Sequence, residues 1–328
     1  MLKKISLKAW IAIASCFVAF ATLMAVAGVF DLQINIALNN AGSFFGQFFG
    51  RIGKAPAWIA ACAAMVIAFH QEFGKNKKQQ SIWKIACGVF TWLAFSYVVL
   101  EFFDSFDVNV PFELAYVFVI GAFLAVAAIL GTWNVNKDIM KKLFIFAIFL
   151  VIILAVSNGA VQVLKLIWSR QRFRTMIETT GNQAILSQYF TYQFEGFSPW
   201  FRPEFIFRTP VRTEGFVQAF RSYDSDAFAS FPSGHAVAAA CSFGLILLPD
   251  IFPKLKNKKV HWAFWVAPAL FTFLVAFSRI VVGAHFLSDV VVSSFIALTT
   301  ATLARFIIVN KFLKKEDNTS QCISLESA

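Results

Sequence analysis

Charge is scarce in this sequence: Asp, Glu, Lys and Arg supply 14% of the residues, against 59% hydrophobic ones. Soluble domains carry far more charge, so the composition excludes an ordinary soluble protein and indicates a polytopic membrane protein. Cysteine is sparse as well. Cys16, Cys62, Cys87, Cys241 and Cys322 show no paired spacing, and four of them lie inside apolar runs. That argues against a disulfide framework and against a zinc site. No internal repeat or low-complexity tract occurs. The net charge is +11, yet there is no basic stripe with interleaved aromatics, which excludes nucleic acid as the partner. The lysines instead form short clusters between apolar runs, as topology signals do.

Phenylalanine, at 41 residues, and long apolar runs take the place of charge. A spanning helix needs roughly 20 apolar residues. Runs of that order fall at about 9–30, 55–70, 82–102, 112–133, 143–167, 235–251, 261–279 and 286–309. The fold expected is therefore an all-α, polytopic membrane helix bundle of about eight spans. Ala25-Val26-Ala27 resembles a signal-peptide cleavage site, but the run before it is as long as a span, so an uncleaved first helix is expected. Residues 31–54 are amphipathic and contain glycine, which predicts a helix lying on the membrane surface. The division expected is an N-terminal region at 1–142, a core at 143–310 and a tail at 311–328.

Lysines set the orientation. One face receives Lys3, Lys4 and Lys8; Lys75, Lys77 and Lys78; Lys137, Lys141 and Lys142; Lys254, Lys256, Lys258 and Lys259; and Lys311, Lys314 and Lys315. Eight alternating spans place every cluster in the cytoplasm, together with both termini. The long segment 168–234 then lies outside. It has no lysine but seven arginines, at 170, 172, 174, 202, 208, 212 and 221, and fixed guanidinium groups match phosphate oxygens. Within it, FSPWFRPEFIFRTPVR (197–212) reads either as a lid over a site or as a packed connector.

Three stretches reach that outer face. KLIWSRQR places Lys165, Ser169 and Arg172 at i, i+4 and i+7, so they are expected to share one helix face. FPSGH places Ser233, Gly234 and His235 where an apolar run begins. SRIVVGAHFLSD supplies Ser278 and Arg279, then His285, then Asp289 four residues on. Each has a plain structural reading: snorkelling anchors, a helix cap, a hydrogen-bonded pair. Their convergence favours a site, because charge at membrane depth is expensive and usually functional. Lys165, Arg172 and Arg279 give fixed positive charge, and Ser233 with the amides of Gly234 and His235 gives donors, which together make an anion cradle. His285 with Asp289 is a base-and-orienter pair that leaves one ring nitrogen to attack. His235 is then available to protonate a leaving oxygen. No carboxylate cluster suited to magnesium accompanies the set.

In that order, K-x6-R, PSGH and SR-x5-H-x3-D resemble the three signatures of the type 2 phosphatidic acid phosphatase (PAP2) superfamily, over roughly residues 143–310. The resemblance implies a PAP2/haloperoxidase-like helical core and a phosphohistidine mechanism without metal or other cofactor. It makes His285 the nucleophile, Asp289 its partner and His235 the general acid, with Lys165, Arg172, Ser233, Gly234 and Arg279 holding phosphate. The partners it implies are the lipid bilayer of the cell membrane and a lipid phosphate substrate: a polyprenyl diphosphate, phosphatidate or phosphatidylglycerophosphate. Two departures stand out. Phe173 occupies the position where the family usually has proline, and the membrane members commonly have six spans. A phosphotransferase shares the first half-reaction. A transporter predicts charges at the midplane and repeated halves, and the haloperoxidase relatives are soluble.

Overall fold

The structure, a computed structural model, describes residues 7–177, 194, 196–208 and 213–313. Lys3, Lys4, Arg212, Lys314, Lys315 and Cys322 lie outside the described residues, as does much of segment 178–212. Among the described residues there is no strand, and eight helices are long and apolar enough to cross a membrane. The protein is a multi-pass, all-α membrane protein.

The chain runs through α1 (Leu7–Leu38), α2 (Phe44–Ile52), α3 (Ala55–Phe69), α4 (Lys77–Ser105), α5 (Glu113–Gly131) and α6 (Lys137–Trp168). After the short α7 (Phe173–Ile177) come α8 (Glu214–Tyr223), α9 (Gly234–Ala240), α10 (Lys258–Val281) and α11 (Leu287–Ile308). Side-chain caps start several of these helices. Asn76 accepts from the Gln79 amide at 2.9 Å at the head of α4, and Thr213 from the Phe216 amide at 3.3 Å at the head of α8, satisfying amides that have no partner inside the helix.

Two expectations need correction here. Residues 31–38 do not begin a surface helix but continue α1, with no Pro or Gly after Gly28 to stop it before Leu38. Asp31 and Asn35 on that extension are 2% and 0% exposed: Arg170 and Ser288 satisfy the Asp31 carboxylate, and the Asn35 amide donates to the His285 carbonyl. Nor does Arg172 share a helix with Lys165. The helix ends at Trp168, and Ser169 takes a left-handed φ of 41° while its amide closes on the Lys165 carbonyl at 2.9 Å. That conformation turns the chain out of the helix.

The contacts form two compact units that interleave along the chain. The first comprises Met1–Gly53, Ser157–Ala240 and Leu270–Leu298. Its core includes Ala236, Ala276, Ile280 and Val290, with Ile34 packed on them, and a second cluster of Phe173, Met176 and Phe286. Burying Phe173 and Phe286 contributes about 1.5–3 kcal/mol each. The second unit comprises Lys54–Val156, Cys241–Ala269 and Thr299–Ala328. There Ala64, Ile67, Met140 and Ala147 form a cluster, Lys54 pairs with Glu101 at 2.7 Å, and Arg305 grips Asp250 through two bonds of 2.7 and 3.1 Å.

Candidate active site

All eight residues singled out from the sequence fall in the first unit, and the local folding explains how seven of them meet. Past Ser169 the chain turns inward, so Arg170, Gln171 and Arg172 are all buried. The Arg172 amide bonds the Ala227 carbonyl at 2.8 Å, and the Arg170 carbonyl accepts from the Ser230 amide at 3.0 Å. These bonds dock the turn against the segment that leads into PSGH. Phe173, in place of the family proline, starts α7 and stacks on Phe194, edge-on to Phe286. Ser233 donates its amide to the Asp289 carbonyl at 3.1 Å, and its Oγ accepts from the Ala236 amide at 3.3 Å, capping α9. A hydroxyl that accepts one bond still has its own proton to donate.

The loop between α10 and α11 carries His285. Gly283 sits at φ +65°, and a Cβ there would stand 2.8 Å from the Asn39 Oδ1 and 3.1 Å from Phe173, so this turn requires glycine. The amides of Ala284 and His285 both return to the Arg279 carbonyl, at 3.0 and 3.2 Å. Asp289 lies in the first turn of α11.

The cations gather near the histidine. Lys165 Nζ stands 3.6 Å from where a Cβ on Gly234 would be, and Lys165 and Arg172 are both close enough to act electrostatically on His285. Arg172, Arg174 and Arg279 repel one another. Each of two guanidinium groups is pinned by one nitrogen, Arg172 to Asp226 at 3.2 Å and Arg279 to the Gly46 carbonyl at 3.0 Å. The Nε of each is buried and has no hydrogen-bond partner among the described residues. Unpaired buried donors cost about 1–3 kcal/mol each, and an anion seated between them would recover that. His235 is half-buried in the first turn of α9. A cavity of about 350 Å³ opens beside Lys165, lined also by Gln162, Ser169, Arg221, Ser225 and Asp226.

His285 is 1% exposed. Burial pushes it down to about 4, helped by Arg172 and Lys165 and opposed by Asp289, so the ring is neutral near pH 7. Its Nδ1 is 2.6 Å from the Ser230 carbonyl. A carbonyl only accepts, so Nδ1 carries the proton and Nε2 the lone pair. The expectation that Asp289 sets the tautomer is modified accordingly. Its Oδ2 is 3.6 Å from Nδ1, beyond hydrogen-bond distance, and acts on the ring by charge. Asp289 is instead held by the Ser230 hydroxyl at 2.5 Å, the Phe286 amide at 2.8 Å and Arg170 at 2.7 Å.

Arg170 is the main functional candidate that sequence reasoning passed over. It is 1% exposed and joins Asp289, Asp31 and Ser288, with Phe286 stacked 4.0 Å away. Removing one partner from such a buried ion cluster costs about 3–5 kcal/mol. The available signal was Asp31, the one charged residue between Lys8 and Arg51. Residues 197–200 of the 168–234 segment read as packed connector rather than lid. Ser198 accepts from Arg170 Nε at 2.7 Å, and Trp200 donates to the Met24 carbonyl at 3.1 Å. Residues 209–212 lie outside the described residues.

The family model of the PAP2 superfamily matches residues 146–313, a span that holds all three motifs. The chain belongs to the PAP2 superfamily. Its members are phosphoesterases, generally phosphatases, and the matched span carries all eight candidate residues of this PAP2 protein. No curated protein and no solved structure matches the chain.

Proposed function

We propose that this PAP2 protein is a lipid phosphatase of the cell membrane that releases phosphate from a lipid phosphate or pyrophosphate at the extracytoplasmic face. The observation that carries the reading is the pair of buried, unpartnered Nε donors on Arg172 and Arg279, beside a neutral histidine whose free lone pair is on Nε2. In the reaction, Nε2 of His285 attacks phosphorus, the bond from phosphorus to the lipid oxygen breaks, and His235 gives that oxygen its proton. Water then opens the phosphohistidine, with His235 taking the proton back. Lys165, Arg172, Ser233, Gly234 and Arg279 hold the phosphoryl oxygens as charge develops. Ser230 keeps the nucleophile's tautomer, and Asp289 supports the positive charge that grows on its ring.

The test uses purified protein in detergent with chelator present and a panel of polyprenyl diphosphate, phosphatidate and phosphatidylglycerophosphate, together with an aryl phosphate. Phosphate release without metal is expected for at least one lipid. His285→Ala should be inactive on every ester. His235→Ala should lose about 10²–10⁴-fold on the lipid but much less on the aryl ester, whose oxygen leaves without a proton. Turnover by His285→Ala, or equal losses on both ester types for His235→Ala, would refute the corresponding role.

A further inference from the structure

The N-terminal helix lies outside the matched residues 146–313, yet two of its side chains reach the nucleophile's loop. Asp31 is 2% exposed. Its Oδ2 accepts from Arg170 at 3.0 Å and from the Ser288 hydroxyl at 2.5 Å, and its Oδ1 accepts from the Ser288 amide at 3.0 Å. Arg170 in turn donates to Asp289 at 2.7 Å. One helical turn further on, the wholly buried Asn35 donates to the carbonyl of His285 at 3.1 Å. Residues four apart share a helix face. The helix therefore holds the short stretch from His285 to Ser288 at both ends, and reaches Asp289 through Arg170.

We infer that Asp31 and Asn35 are positioning residues, which act through Arg170 and the loop backbone on His285. The inference rests on His285 being the nucleophile. As Nε2 bonds to phosphorus, the ring gains a positive charge while Lys165 and Arg172 oppose it. Asp289 is the carboxylate that favours that charge, but Arg170 draws on the same carboxylate. Asp31 offsets Arg170, so the buried triad of two carboxylates and one guanidinium keeps a net negative charge for the ring. Asp31 also caps the second residue of α11 with a carboxylate, which favours that helix start and fixes where Asp289 begins its turn.

Full-length protein in detergent provides the test, with Asp31→Asn and Asp31→Glu compared on lipid and aryl phosphates. Losing one hydrogen bond to a charged group typically costs about 10–100-fold. Asp31→Asn is expected to lower kcat by that factor with KM within about twofold, because the cradle is untouched and only differential transition-state support is lost. The loss should be equal on both esters, since it acts on the nucleophile and not on the acid, and Asp31→Glu should recover part of it. Folded Asp31→Asn with wild-type kcat overturns the inference, as does a loss confined to KM. If Asp31→Asn does not accumulate folded, Asn35→Ala decides. About fivefold lower kcat, the worth of one hydrogen bond, supports the inference and an unchanged kcat overturns it. Failure of the underlying reading is recognised separately by turnover in His285→Ala, and the inference then falls with it.

Discussion

His285 is buried, neutral at physiological pH and locked in one tautomer by a backbone carbonyl, and its proposed role as nucleophile then has a measurable consequence. The neutral ring persists down to about pH 4, since burial, Arg172 and Lys165 outweigh Asp289. Protonation would remove the lone pair, so activity depends on this group only below that point. The acid limb of kcat/KM, which reports the free enzyme, is therefore expected to bend near pH 4 rather than near the ordinary histidine value of about 6.5. A bend near 6.5 would mean the ring is solvated in the working enzyme. Asp224 belongs to the same scale. Although burial alone would raise it, Arg174 holds its carboxyl below the usual range through a hydrogen bond of 2.6 Å.

At the scale of elements, α2 shapes the cradle through two glycines. Arg279 lies against the backbone of this helix, donating to the Gly46 carbonyl. A Cβ on Gly50 would stand 2.6 and 2.7 Å from the two terminal nitrogens of Arg279. Because the obstructed group is the end of a flexible side chain, Gly50→Ala is expected to displace the guanidinium rather than disturb the fold. The thermal midpoint should barely move. The loss of kcat/KM should be about tenfold or more, which corresponds to a charged hydrogen bond of about 1.5–3 kcal/mol. Steady-state kinetics beside a melting curve check it, and an unchanged kcat/KM would remove Arg279 from the phosphate-holding set.

For the whole molecule, the question is which side of the membrane the site faces. The lysine clusters predict the cytoplasm for the loops at 75–78 and 137–142 and the outside for 168–234. Ser222 is exposed in the 168–234 segment and Lys77 at the start of α4. In a background with the five native cysteines replaced, Ser222→Cys is expected to react with an impermeant thiol reagent in intact cells. Lys77→Cys should react only after permeabilisation. The reverse pattern would move the substrate to the inner leaflet.

The membrane class, the helical fold and the PAP2 motifs were legible in the sequence because each is a local property. The free energy of a span is a sum over consecutive apolar residues, and Lys165, Arg172, Ser233, Gly234, His235, Arg279, His285 and Asp289 carry their chemistry at fixed spacings. Pairings across long stretches of chain were not legible. Arg170 is one of seven arginines in its segment, and nothing in the residues between it and Asp31, 139 positions away, selects that partner. The tautomer of His285 depends on the carbonyl of Ser230, a backbone group that every residue possesses and that therefore leaves no trace in sequence. Where α1 ends was misread for the same reason. An amphipathic stretch with Asp31 and Asn35 looks like a surface helix until the tertiary fold brings buried partners to both.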